Sequence, residues 1–251
     1  MKRLTILAAL AAALIASAAH ADDTAPAAAV AAPATAAPAA PAATDAPIID
    51  TTPAPVGPKL SNFADTVVAG ISGENAPEVS LDFAPGTAIG SMPLAFETTK
   101  LDDIQAIYGG QIHAQGEGDS ATTWLCYTQH ARTKADTPKT VWFISTKQPA
   151  AKGNALSTLV VENVDAGKVS GCLTAPKAFS FPAFSVPSLG ATYADLQTHF
   201  GALTKDRAKN VYYDSTHALG DGSGQSVYEI LGYRMTRKGL VNGIALSQTT
   251  N

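Results

Sequence analysis

Two short segments of the chain space their apolar residues as one face of an α-helix does. The first, LDDIQAIYGG at residues 101–110, has four such positions: Leu101, Ile104, Ile107 and Tyr108. Thr99 can cap this helix, acidic residues occupy its first turn, and Gly109 is typical of a helix end. The pattern predicts an amphipathic helix whose four apolar side chains face a core.

The second segment, YADLQTHFGA at residues 193–202, repeats this plan. Its predicted buried face consists of Tyr193, Leu196 and Phe200. Thr192 provides the cap, and Gly201 stands in the same place as Gly109. Each helix candidate is followed by a polar loop and then by apolar segments, which suggests a duplicated unit.

Six segments after these helices are rich in β-branched and aromatic residues and are bounded by turn residues, a pattern that favours strands. Three follow the first helix, at 122–128, 140–146 and 157–164. Three follow the second, at 210–215, 226–235 and 240–248. The order of one helix and three strands therefore occurs twice. We expect an α+β fold of two tandem units, each a helix covering an antiparallel sheet of three or four strands. The units are predicted to span residues 59–174 and 175–251.

The N-terminal part of the chain has a different composition. Lys2 and Arg3 precede an apolar run, and the small residues of AHA follow it, so residues 1–21 are predicted to be a cleaved signal peptide. The alternative is an uncleaved anchor. Residues 22–58 contain 15 Ala and 8 Pro without an aromatic residue, which predicts a disordered segment. It acts either as a solubilising tail or as a tether. The predicted location is periplasmic or secreted, with no membrane span after cleavage.

Charge and cysteine content narrow the function. Without residues 1–21 the chain has 15 Lys and Arg against 21 Asp and Glu, which argues against nucleic acid as a partner. An exported chain with two cysteines, Cys126 and Cys172, is expected to form a disulfide. A metal site or a catalytic thiol is the alternative, but the spacing is not typical of zinc ligands and no basic residue closely flanks either cysteine.

The repeated pattern resembles a known fold. The pattern is a helix that ends in FG or YG, followed by a loop, an aromatic strand and two further strands. It looks like the repeat of the β-lactamase-inhibitor-like fold. Small outer-membrane assembly lipoproteins of the SmpA/OmlA type have a similar unit. The resemblance covers residues 84–251 in two copies. It implies inhibition of, or scaffolding for, another envelope protein.

Catalytic chemistry has little support in the sequence. DSTH at residues 214–217 holds Asp, Ser and His, but a triad converges in space and not in sequence, and a turn explains the segment better. A metal site of His113 and His130 with Glu117 or Asp119 is conceivable. The glycine-rich GDGSGQS at 220–226 has no Lys and no following helix, so a hairpin connection is expected in place of a phosphate site. We expect no cofactor and no catalytic residue.

Aromatic residues on the strands are the remaining candidates for function. Strand side chains alternate between faces, so some of these rings should lie away from the helices, where they could contact a partner or fill a core. The candidate partner-binding residues are Tyr127, Trp142, Tyr212, Tyr228 and Tyr233. The expected function is binding of a protein or an envelope component through sheet faces and loops. A small envelope hydrolase with a site built from distant residues, or a purely structural envelope component, is the alternative.

Overall fold

A computed structural model describes residues 58–69, 76–117, 121–130, 136–146, 153–164, 171–201, 210–220 and 222–251. The predicted signal peptide and all of the predicted Ala/Pro segment except Pro58 lie outside the described residues.

One large sheet organises these residues. The strands are β1 (Ala88–Ile89), β2 (Met92–Pro93), β3 (His113–Gln115), β4 (Thr122–Gln129), β5 (Lys139–Thr146), β6 (Thr158–Asn163), β7 (Leu173–Thr174), β8 (Asn210–Ala218), β9 (Ser226–Met235) and β10 (Val241–Thr250). The sheet order is β3-β4-β5-β6-β10-β9-β8, all antiparallel. The short β7 pairs in parallel with β4, and β1 and β2 form a separate hairpin.

All six predicted strands are confirmed, with ends that differ by at most three residues. The segment 219–225 connects the antiparallel pair β8 and β9, as the hairpin prediction requires. The strands that the pattern missed, β1, β2, β3 and β7, contain only two or three residues each. Alternation cannot be recognised over so few positions.

Three helices occur in the described ranges: α1 (Asn62–Val68), α2 (Leu101–Tyr108) and α3 (Tyr193–Phe200). In α3 the predicted cap is confirmed, since Thr192 Oγ1 accepts from the Asp195 amide at 3.2 Å and Asp195 accepts from the Thr192 amide at 2.7 Å. The Asp195 carboxylate also accepts from the Thr192 hydroxyl at 2.8 Å, and its bonds from the Thr192 amide, first, and from this hydroxyl hold the pKa of Asp195 below its usual value.

Two details predicted for α2 are wrong. Lys100 occupies the N-cap, because Thr99 Oγ1 instead accepts from the Ala95 amide at 2.9 Å. Ile107 is 60% exposed, whereas Leu101 and Ile104 are fully buried. At about 100° per residue Ile107 lies well to the side of the arc that holds the buried positions, and so short a helix buries only a narrow stripe.

One face of the large sheet, the inner face, is covered by α2 and α3. Every second side chain of each long strand points to this face, and these side chains form one apolar cluster with Ile104 and Leu196 of the helices. Aromatic rings bind the cluster together: Tyr127 stacks on Phe179 with centroids 4.9 Å apart, and Tyr213 stacks on Phe200 at 4.0 Å. The core of the protein therefore lies on this face.

The opposite side, the outer face, carries a second and smaller cluster under α1. Ser61 caps α1 by accepting from the Ala64 amide at 3.1 Å, and Phe63 and Val67 pack against Trp142 and its neighbours. A Cβ added at Gly243 would come within 3.0 Å of the Phe63 ring, so a glycine lets this helix approach β10. The sequence prediction had no helix here.

A buried ion pair lies where β6, β10 and β9 meet on the outer face. Glu162 is almost fully buried and accepts from Arg234 at 2.7 Å and from Trp142 Nε1 at 3.0 Å. Arg234 also bonds Asn242 Oδ1 at 3.1 Å and lies over the Phe63 ring at 5.4 Å. Because the partners come from separate strands, this network fixes how the strands join.

The two cysteines form a disulfide between Cys126 on β4 and Cys172 next to β7. The bond lies on the outer face and holds the short β7 against the edge of β4. The described residues thus form an α+β fold with three helices and mostly antiparallel pairing.

Candidate functional site

Four of the five candidate partner-binding residues are buried. Tyr127 and Tyr233 belong to the inner-face cluster, and Trp142 belongs to the cluster under α1. Tyr212 is also buried. These four rings fill the interior, the alternative that the sequence left open. Tyr228 is half-buried, and contact of these residues with a partner stays a prediction.

Tyr228 belongs to a small surface that we call the open patch. Its members are Asp214, Thr216, Tyr228 and Ile230, which share the outer face of β8 and β9. Asp214 pairs with Ile230, and Thr216 pairs with Tyr228. Thr216 is exposed and the other three are half-buried. In the clusters formed by the described residues Tyr228 and Ile230 do not take part, so these two side chains give the open patch apolar surface outside both cores.

The open patch has an acidic margin. The chain around Glu78 and Val79 runs beside β8, and the Val79 amide donates to the Asp214 carbonyl at 2.8 Å. This pairing brings the exposed Glu78 next to the open patch. Burial raises the pKa of Asp214, and burial together with the hydrogen bond to Asp214 raises the pKa of Tyr228 to about 12. A negative charge held beside a neutral phenol favours a cationic neighbour.

The DSTH segment is not the turn that one reading of the sequence predicts, because all four residues lie within β8. Alternation along the strand sends Asp214 to the outer face and His217 to the inner side. The two therefore cannot act on one substrate atom. The Nδ1 atom of His217 instead lies 3.2 Å from the Asp82 carboxylate, which comes from the segment before β1.

His217 faces a cleft of about 420 Å³ at the end of the inner face. One wall is the hairpin of β1 and β2, and the other is the ends of β8, β9 and β10. The lining residues in the described ranges are mostly apolar, and four of them have polar side chains: Thr87, His217, Glu229 and Gln248.

Glu229 is the most unusual group in this cleft. Its two oxygens accept from the Phe83 amide at 2.6 Å and the Ala84 amide at 3.1 Å, so it anchors the entry to the hairpin. Burial raises its pKa, although the two amides and His217 oppose the rise. No sequence signal joins Asp82 with Glu229, since they lie more than 140 residues apart and meet only through the tertiary fold.

The remaining histidines show ordinary roles. His113 lies 6.1 Å from the Trp124 ring, and burial lowers its pKa. The Nε2 atom of His130 is 3.3 Å from Thr174 Oγ1. His199 packs against Phe200 at 4.6 Å. Within the described ranges no group of three or more His, Cys, Asp or Glu could hold a metal ion, while Asp119 of the conceivable metal site lies outside them.

None of the helices in the described part of the chain has the length and apolar content needed to span a bilayer. Comparisons of the chain with protein-family models, with curated proteins and with solved structures found no match. Arguments about function therefore depend on the open patch and the cleft themselves.

Proposed function

We propose that this chain is an exported, non-enzymatic binding protein that recognises a protein of the cell envelope through the open patch. One observation carries the proposal: Tyr228 and Ile230 present apolar surface on the sheet without belonging to either core. Tyrosine at a sheet surface is a preferred anchor for a protein partner, because it offers a large apolar ring with a polar end.

The charges around the open patch favour a basic partner. Asp214 and Glu78 are acidic, and the chain without residues 1–21 has an excess of six acidic residues. Opposite charges at an interface speed association and are screened by salt. Binding should therefore weaken as the salt concentration rises.

The same proposal takes the two halves of the chain as copies of one unit. In support, the third strands of the two halves, β6 and β10, pair with each other, and Ile104 and Leu196 lie in one cluster. Tyr127 makes an edge-on contact with Tyr108 of α2, and Tyr213 stacks on Phe200 of α3. The likeness to the β-lactamase-inhibitor-like repeat remains part of this proposal, as do the unit boundaries at 174 and 175. An experimental structure in which residues 101–163 do not superpose on 193–250 would refute the duplication.

A quantitative capture experiment tests the binding function. The chain from residue 22 is immobilised, envelope proteins are passed over it, and the retained proteins are identified. One abundant captured protein is then purified and its affinity is measured by calorimetry for wild type and for the variant Tyr228→Ala with Ile230→Ala. The control is Ile107→Ala, which truncates an equally large exposed residue on α2. Loss of binding of about tenfold or more only in the patch variant supports the proposal. Equal affinities for both variants contradict it.

Two alternatives are tested with the same protein. A hydrolase is favoured only by the pairing of His217 with Asp82, and the described residues give His217 no hydrogen bond to a hydroxyl or thiol nucleophile. Hydrolytic activity that disappears in His217→Ala would establish the enzyme. A structural component tethered by the Ala/Pro segment would lose its envelope attachment when residues 22–58 are removed, whereas recognition through the open patch would persist.

A further inference from the structure

The cleft at the end of the inner face contains a polar group that the fold itself does not use. Thr87 is only 2% exposed, and no described residue forms a hydrogen bond with its Oγ1. Its backbone is fully occupied, since its amide donates to Ala84 at 3.1 Å and its carbonyl accepts from Leu94 at 2.9 Å. A buried hydroxyl without a partner is costly, and Thr87 lines the cleft, so a ligand that reaches this hydroxyl would relieve that cost.

The cleft has the composition of a small-molecule site. Such sites combine an apolar lining with a few convergent polar groups. Here Leu94 and Phe96 contribute the apolar wall, and Thr87, Glu229 and Gln248 contribute the polar groups. The volume of about 420 Å³ is sufficient for a molecule of about ten non-hydrogen atoms.

The charges of the cleft select the ligand. None of the described residues that line it is Lys or Arg. Glu229 lines the cleft, and Asp82 lies next to His217, which also lines it. Each Glu229 oxygen already accepts one backbone amide and keeps a second lone pair. Burial raises the pKa of Glu229 in spite of its two backbone amides, and a cation in the cleft would favour the charged carboxylate. An anionic ligand would meet the opposite effect.

We propose that this cleft binds a small amine with an apolar body, whose ammonium group is held by Glu229 and Thr87 while its chain lies against Leu94 and Phe96. An ammonium group donates three hydrogen bonds, which suits a carboxylate, a hydroxyl and the Gln248 amide oxygen. The inference is independent of the open patch, which lies on the other face of the sheet.

The test uses n-hexylammonium as the probe, with n-hexanol and n-hexanoate as matched uncharged and anionic controls. Amide NMR spectra of the chain from residue 22 are recorded during each titration at neutral pH. We expect n-hexylammonium to shift the amides of Thr87, Leu94 and Glu229 in a saturable way. A dissociation constant of about 1 mM is expected for a ligand of so few atoms. The hexanol should bind more weakly, and the hexanoate most weakly.

Three variants locate the site. Thr87→Val removes the hydroxyl at nearly constant volume and should weaken binding of n-hexylammonium about fivefold. Ala95→Trp fills the cleft from an exposed rim position and should weaken it about tenfold or more without disturbing the core. Thr216→Val, on the opposite face, should leave the affinity unchanged. Should Thr87→Val fail to fold, Ala95→Trp still decides the matter. Tighter binding of n-hexanoate, shifts confined to other regions, or unaltered affinity in Ala95→Trp would overturn the proposal.

Discussion

The two faces of the large sheet are covered to different extents. On the inner face α2 and α3 close an aromatic core that runs from β4 to β8. On the outer face α1 covers the strands around Trp124 and Trp142, and the far end of β8 and β9 presents the open patch. The difference teaches where function can reside. A face filled by its own helices holds the fold together, whereas apolar surface that no core includes is available for a partner.

The largest loss of stability is expected from a substitution in the core of the inner face. Phe143→Ala deletes a fully buried ring that touches Tyr127 and Phe179, and it should lower the free energy of unfolding by about 4 kcal/mol. Urea denaturation measures this loss. Ile230→Ala in the open patch is the matched comparison and should cost about 1 kcal/mol or less. Similar losses in the two variants would show that the open patch is part of a core.

A second effect concerns the disulfide, which reinforces the outer face only beside β4. Removing it with Cys126→Ala and Cys172→Ala should lower stability by at most about 4 kcal/mol, the loop-entropy value for a separation of 46 residues. Amide hydrogen exchange should rise most in β4 and β7, while β8 and β9 keep their protection. A uniform rise across the sheet would contradict a local role.

The third prediction concerns the ion pair of the outer face. Arg234→Met leaves the carboxylate of Glu162 buried with Trp142 as its remaining partner, at an expected cost of about 3 kcal/mol. Adding Glu162→Gln should recover part of that loss, because a neutral amide tolerates burial better. A double-mutant cycle in urea measures the recovery. Strict additivity of the two changes would mean that the pair contributes nothing specific to the strand junction.

The smallest expected effect on stability concerns Asp214 in the open patch. Burial raises the pKa of Asp214, so the folded state binds its proton more tightly than the unfolded state does. The contribution of Asp214 to stability therefore increases as the pH falls through its folded pKa toward the unfolded value. Asp214→Asn should remove this pH dependence and should make the protein more stable than wild type at neutral pH. Urea unfolding at intervals from pH 7 down to about pH 4, the ordinary value of an aspartate, provides the measurement, and a less stable variant at pH 7 would refute the assignment.

Sequence patterns predicted the long strands and two of the helices well, but they did not predict which residues pack against them. The strand with Trp124 and Tyr127 is rich enough in aromatic and β-branched residues to be found from one sequence, and the helix capped by Thr192 has a clear cap and apolar spacing. The helix at Asn62–Val68 could have been recognised, because Ser61 precedes it and Phe63 and Val67 are spaced for one face.

The functional surfaces could not be predicted in the same way. Alternation tells which residues share a face but not which parts of each face are covered, and four of the five candidate aromatics lie in the interior. The cleft joins Thr87 and Glu229 through tertiary packing alone, and no spacing in the chain signals their proximity.

Site-specific crosslinking tests the central claim most directly. A photoreactive phenylalanine analogue is placed at Thr216 in the open patch and, in a separate protein, at Ile107, the exposed residue on α2. Both proteins are irradiated in an envelope extract, and the adducts are compared. We predict a discrete adduct with one protein from position 216, diminished by added salt, and none from position 107. Adducts only from position 107, or the same adducts from both positions, would contradict recognition through the open patch.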